Sequence, residues 1–260
     1  MKDQYFGDVN DYRKYGLLRI LSLAGRMRLG VCWMLTAPDS RSDGGKTGYL
    51  CHPERWRHFD PELFDFLHGA VINGAHDVQR SVTILESAGL LGSSEFYRTT
   101  ITDQSCQRQC YFEEMLCQFQ QSDLVFFDPD NGMEVPSIVR GHRNSSKYLF
   151  WDELYAVFRR GHSVLVYQHF TRERRADYLN RLVAESYRHT SCAALFSFLT
   201  PHVAFILLSQ ARHAAYFDDR IEAVKNSAWG ERDTSRRCEI TGDRQILANS
   251  HRVPTGDTLQ

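Results

Sequence analysis

Uninterrupted apolar stretches recur along the chain, each bounded by turn-forming residues. They are Gly30-Val31-Cys32-Trp33-Met34-Leu35, Leu124-Val125-Phe126-Phe127, Ser163-Val164-Leu165-Val166-Tyr167, Ala194 to Leu199 and Val203 to Leu208. Short continuous runs of this kind are strands buried on both faces, as in a parallel sheet. The last two are separated only by Thr200-Pro201-His202 and predict a hairpin. Between the runs, apolar positions return at helical spacing. One helix is capped by Asp8 or Asn10 and stops by Gly25, and another starts at Asp60-Pro61-Glu62. Further helices are predicted over residues 77–90, over 104–121, from Trp151 to Arg160 before Gly161, from Thr171, and from Asp218 to Trp229. Helices alternating with buried strands predict one α/β domain over residues 1–230, a mostly parallel sheet flanked by helices with a C-terminal antiparallel hairpin. Residues 231–260 are polar and predict a loosely held tail.

Composition narrows the class. Of 260 residues, 42% are hydrophobic, enough for a sizeable core, and no apolar run approaches the ~18–20 residues that span a bilayer. The N-terminus, Met1-Lys2-Asp3-Gln4-Tyr5, has no signal-peptide character, so a cytoplasmic protein without a membrane partner is expected. Seven cysteines without a C-x-x-C pair read as reduced thiols. Cys106, Cys110 and Cys117 are expected on the buried face of their helix rather than around zinc. A net charge of −1 gives no global basic field, so a nucleic-acid partner would be held by a local patch.

The candidate chemistry lies where a buried strand runs into Asp128-Pro129-Asp130-Asn131-Gly132-Met133-Glu134. In open α/β sheets, sites form beyond the carboxyl ends of such strands. The next strand ends in Gln168-His169-Phe170, and Arg172, Arg174 and Arg175 follow at a helix start, an arrangement suited to an anionic substrate. In the N-terminal helix, Asp8, Asn10, Asp11 and Lys14 are either a solvated face or groups pointing across a cleft toward the strand ends. The polar loop 36–48 has glycines in neither of the spacings that cradle nucleotide phosphate, and it reads as a substrate loop carrying Asp39, Arg41, Asp43 and Lys46. Arg55, Trp56, Arg57 and His58 are either a structural turn or a contact for a nucleic-acid backbone.

Three chemistries fit these residues. The order of elements resembles Rossmann-like methyltransferases, and Asp128-Pro129 is the first half of the motif that amino-methyltransferases carry after their fourth strand. Asp130 and Asn131, however, stand where a second proline and a base-stacking aromatic belong, and the glycine-rich cofactor loop is missing. A nuclease would hold Mg²⁺ on Asp128, Asp130 and Glu134, but the lysine such sites add is not evident. A glycosylase needs a carboxylate for an oxocarbenium-like sugar, a carboxamide for a base edge and a histidine for the departing base, all without cofactor or metal. Asp128, Asp130, Asn131 and His169 supply them, an inventory similar to that of uracil-DNA glycosylases.

A closer resemblance is carried by Phe6-Gly7-Asp8-Val9-Asn10-Asp11-Tyr12 with Lys14-Tyr15-Gly16-Leu17-Leu18-Arg19, by Phe127 to Glu134, by Ser145-Ser146-Lys147-Tyr148 and by Gln168-His169-Phe170. Over about residues 5–230 the chain resembles a bacterial family that includes phage-defence DNA glycosylases. The resemblance implies excision of α-glucosylated hydroxymethylcytosine from double-stranded phage DNA, leaving abasic sites, as antiviral defence. It carries no catalytic assignment. From position and chemistry, Asp128, Asp130 and His169 are the catalytic candidates. Asn131, Asp8, Asn10, Lys14, Tyr5, Phe6, Gln168 and Lys147 are the substrate-binding ones, and Arg172, Arg174 and Arg175 the phosphate anchors. Base flipping also needs stacking aromatics, for which Tyr5, Phe6, Tyr12, Trp33 and Trp56 are available. The oligomeric state is left open.

Overall fold

A computed structural model describes residues 1–23, 26–37, 45–73, 80–231 and 234–238. In chain order its strands are β1 (Leu29–Cys32), β2 (Glu95–Tyr97), β3 (Leu124–Phe127), β4 (Gly132–Met133), β5 (Tyr148–Leu149), β6 (Ser163–His169), β7 (Ala194–Leu199), β8 (Val203–Ser209) and β9 (Thr234–Cys238). Its helices are α1 (Val9–Ser22), α2 (Pro53–Trp56), α3 (Pro61–Val71), α4 (Thr83–Ser87), α5 (Ser105–Gln118), α6 (Trp151–Arg159), α7 (Arg175–Thr190) and α8 (Ala214–Lys225).

Seven strands form one mixed sheet in the order β2-β1-β3-β6-β8-β7-β9, with β2, β1, β3 and β6 mutually parallel. The hairpin strands pair as expected, but they are not simply added at the edge. The second of them, β8, lies antiparallel between β6 and β7. Thr234–Cys238, within the stretch whose polarity predicts a tail, pairs with β7 as the edge strand β9. An edge strand buries only part of its surface, so a polar sequence such as Thr-Ser-Arg-Arg-Cys is compatible with one.

Side chains of the central strands alternate between two cores. Val31, Phe126 and Leu165 stand in register and pack with α1, α3 and α8, while Cys32, Phe127 and Val166 pack with α5, α6 and α7. That alternation places α1 across the sheet face from which Tyr167 projects, with its N-terminus over the strand ends.

Several boundaries differ from the sequence reading. The helix expected over 77–90 is the short α4, and its first residues lie outside those described. α7 begins at Arg175 rather than Thr171, because Arg174 is extended (φ −57°, ψ 129°). α8 starts at Ala214, before Asp218. Cys106, Cys110 and Cys117 are exposed, not buried. The buried stripe of α5 is Arg108, Tyr111, Phe112, Met115 and Leu116, and an arginine in its first turn disguises the apolar pattern. No helix among the described residues is long and apolar enough to cross a membrane.

Candidate active site at the strand ends

The turn after β3 is held from below. Gly132 takes φ +95°, a left-handed conformation, and a Cβ there would overlap the Gln168 carboxamide. Gln168 accepts from the Met133 amide (2.7 Å) and donates to the carbonyls of His169 (2.9 Å) and Asn131 (3.4 Å). On the outer side, the Asn131 amide donates to the Lys147 carbonyl (2.9 Å), and β4 pairs with β5. The segment before β5 is fixed in turn from α5 and the residues just before it. Asp103 accepts the amides of Asn144 and Ser146, and Arg108 donates to the carbonyls of Ser145 (3.2 Å) and Tyr148 (2.5 Å).

Helix α1 closes the other wall. Asp8 caps it, accepting from the amides of Asn10 (2.6 Å) and Asp11 (3.2 Å). One turn in, Lys14 Nζ donates to Asp11 Oδ1 (2.7 Å) and to Asp128 Oδ2 (2.6 Å), and Tyr15 donates to Asp11 Oδ2 (2.8 Å). Lys14, Asp11 and Asp128 are each only 2% exposed. Two carboxylates therefore share one ammonium in a dry environment, where charge interactions are strong. Burial, reinforced by Asp8 and Asp128, pushes the Asp11 carboxyl up to about 6 against the pull of Lys14. Burial acts to lower the Lys14 pKa, but Asp11 and Asp128 outweigh it, so the ammonium is held above its ordinary value. Lys14 also lies 5.0 Å from the centre of the Tyr167 ring, and Tyr167 meets His169 edge to face at 5.0 Å. Desolvation by the cleft wall pushes the His169 pKa below the ordinary imidazole value although the residue is exposed at the strand end, and Asp128 acts in the opposite direction.

Asp130 is held separately. Thr36 Oγ1 donates to its Oδ2 (2.7 Å) and the Met1 ammonium pairs with its Oδ1 (2.8 Å). Burial raises its pKa, but the ammonium and Thr36 prevail and hold the carboxyl below the usual range. The Met1 ammonium also donates to the carbonyls of Asp128 (2.9 Å) and Met34 (3.2 Å).

These groups line one cleft of about 320 Å³, at the small end of ligand pockets. It brings together Asp128, Asp130 and His169 with Tyr5, Asp8, Asn10, Lys14, Asn131 and Lys147. Other expected residues lie elsewhere. Phe6 is fully buried in the core, and Gln168 is 1% exposed with its amide spent on the turn, so neither lines the cleft. Trp33 and Tyr12 are core residues too. Trp33 Nε1 donates to Glu86 (2.7 Å), and Tyr12 Oη donates to the carbonyls of Trp56 (3.0 Å) and Asp60 (3.2 Å). Arg172, Arg174 and Arg175 are exposed on the approach to α7 and do not line the cleft. Arg174 pairs with Asp177 (3.2 Å), and Arg175 donates to the Pro201 carbonyl (2.5 Å). Of the loop 36–48, residues 38–44, including Asp39, Arg41 and Asp43, lie outside the described residues, whereas Lys46 lines the cleft. Lys2 and Tyr167 also line it without having been singled out; period-two alternation back from His169 is the signal that would have found Tyr167.

Asp128, Asp130 and Glu134 do not converge as a ligand set. Glu134 accepts from the Trp151 amide (2.8 Å), and among the described residues no group of three or more His, Cys, Asp or Glu side chains has metal-binding geometry.

No protein-family model matches the chain, and no curated protein matches it. Among solved structures, it is similar to a Legionella pneumophila str. Philadelphia 1 protein, LPL1258, described by the family model DUF519. That match has a TM-score of 0.41 and 8% sequence identity, covering 91% of this chain and 98% of the other. The likeness is too distant to bear on function.

Proposed function

We propose that the cleft hydrolyses an N-glycosidic bond in DNA, removing a modified cytosine and leaving an abasic site. The modified base is glucosylated hydroxymethylcytosine, on the resemblance of the motifs to phage-defence glycosylases, and the role is antiviral defence. The observation that carries the reading is Asp128, buried at a strand end beside a second carboxylate with only Lys14 between them. With both acids ionised, the cluster holds one net negative charge where water is largely excluded. Such a charge favours a cationic sugar and disfavours an anionic intermediate. As the C1′–N bond breaks, Asp128 stabilises the sugar cation and takes a proton from the attacking water. The base leaves with the C1′–N electron pair, accepts a hydrogen bond from His169, which is neutral near pH 7, and recovers through solvent the proton that Asp128 took from water. Lys14 stays an ammonium and cannot attack C1′ as an amine, so the sugar is left as an intact abasic site.

A methyltransferase is the second reading, favoured by Asp128-Pro129 at the end of a parallel strand in this sheet order. Against it, the segment after β1 is pinned to the strand ends, with Thr36 donating its amide to the Met1 carbonyl (3.0 Å) and its hydroxyl to Asp130. DNA bearing the modified cytosine, incubated with the protein in EDTA and then treated with an abasic-site lyase, separates the readings. Breaks that appear only after the lyase support the glycosylase. Breaks that require Mg²⁺ indicate a nuclease, and label taken from S-adenosylmethionine indicates methyl transfer.

A further inference from the structure

Beside the cleft, three cationic side chains and one imidazole, from four parts of the fold, meet at one rim. The Lys46 carbonyl accepts from the Val9 amide (3.1 Å), which pins this residue to the first turn of α1, and its exposed side chain lines the cleft. Arg13 lies one turn further along α1, with its guanidinium 5.8 Å from the Trp56 ring, and it shares a small cavity with Thr200. Thr200 Oγ1 accepts the amides of His202 (3.2 Å) and Val203 (3.0 Å), which shapes the turn between β7 and β8. From α7, Arg175 donates to the carbonyl of Pro201, next to His202, and lies over the Phe170 ring at 4.8 Å. The His202 imidazole is pushed below its ordinary pKa by burial and then by Lys46, Arg13 and Arg175, in agreement with the same convergence.

We infer that Lys46, Arg175 and His202 form a phosphodiester-binding rim that receives the nucleic-acid strand flanking the nucleotide in the cleft. The inference rests on the reading of the cleft as a site acting on DNA. Like charges gathered at a surface repel one another, and a polyanion relieves that repulsion. Arg175 is fixed by the Pro201 carbonyl and the Phe170 ring, so it offers its remaining N–H groups in one orientation. Arg13, 8% exposed and stacked on Trp56, backs the rim from below. The rim extends the arginines of the α7 approach back to the mouth of the cleft through Lys46, the residue common to both. A strand crossing it would enter over the β7–β8 turn.

The test is binding of an unmodified DNA duplex, followed by fluorescence anisotropy across a salt series. Replacing Lys46 and Arg175 together by glutamine should weaken binding roughly tenfold at low salt and reduce the slope of log Kd against log salt by about two. Arg188→Gln, at the other end of α7 and about 20 Å away by helix rise, should leave both unchanged. Matching circular dichroism and thermal unfolding establish that the variants are folded. An unchanged slope in the double variant, or no DNA binding by the unaltered protein, overturns the rim. If the double variant weakens DNA binding as stated while the unaltered protein releases no base, the rim stands and the cleft reading fails.

Discussion

Lys14 Nζ lies 2.6 Å from Asp128 Oδ2, although 114 residues separate them in the chain. This contact ties the first turns of α1 to the turn after β3, so the cleft exists only once helix and sheet have docked. Removing the ammonium should be costly, because two carboxylates would remain buried without it. Lys14→Met is expected to destabilise the fold by about 3–5 kcal/mol in chemical denaturation. Asp128→Asn leaves Lys14 paired with Asp11, so it should unfold close to the unaltered protein while base release falls by about 10²–10⁴-fold. Equal excision by Asp128→Asn would remove that carboxylate from the chemistry.

Asp11 makes the pH dependence of stability testable. Its folded pKa, about 6, lies above the ordinary 3.8, so the folded state holds the proton more tightly. The resulting stabilisation is fully present below 3.8 and is lost as pH rises through about 6. Relative to Asp11→Asn, the unaltered protein should lose up to about 3 kcal/mol of stability across that window. Parallel stability curves for the two proteins would contradict the buried cluster.

His169 should set an acid limb in the rate. Because its pKa lies below that of an ordinary histidine, it is neutral near pH 7 and becomes charged only in more acidic solution. Base release should therefore decline with a midpoint below the ordinary histidine value, because an imidazolium in the cleft opposes the positive charge that develops on the sugar. In His169→Gln the limb should vanish and the rate near neutrality drop about 10²-fold. A limb retained in the variant would assign it to another group.

Gly132 tests the support beneath the turn. Alanine there must adopt φ +95° and overlap the Gln168 carboxamide, at a cost of about 2–4 kcal/mol. Gln168→Ala removes the overlap together with the hydrogen bonds that hold the turn, so the double variant should lose less stability than the sum of the two single variants. Full stability in Gly132→Ala would show that the turn adapts freely.

Much of the fold is legible in the sequence because β1, β3, β7 and β8, and Val164 to Tyr167 of β6, are mainly apolar and buried on both faces. The insertion of β8 between β6 and β7 is not, because strand composition says nothing of neighbour order. At the site, Asp128 and His169 are found by their position at strand ends. Gln168 is misjudged since, one residue before His169, it points to the opposite face and under the turn. Phe6, Tyr12 and Trp33 show that aromatic character alone does not separate a stacking platform from a core residue. The partnership of Asp11 and Lys14 with Asp128 depends on long-range docking, which no local pattern encodes.

The central claim is the bond that breaks. DNA containing glucosylated hydroxymethylcytosine, incubated with the protein in EDTA, should release that base as a free small molecule, identified by its mass, while the sugar-phosphate chain stays intact. Release of nucleotides, or DNA that keeps every modified base, would contradict the account.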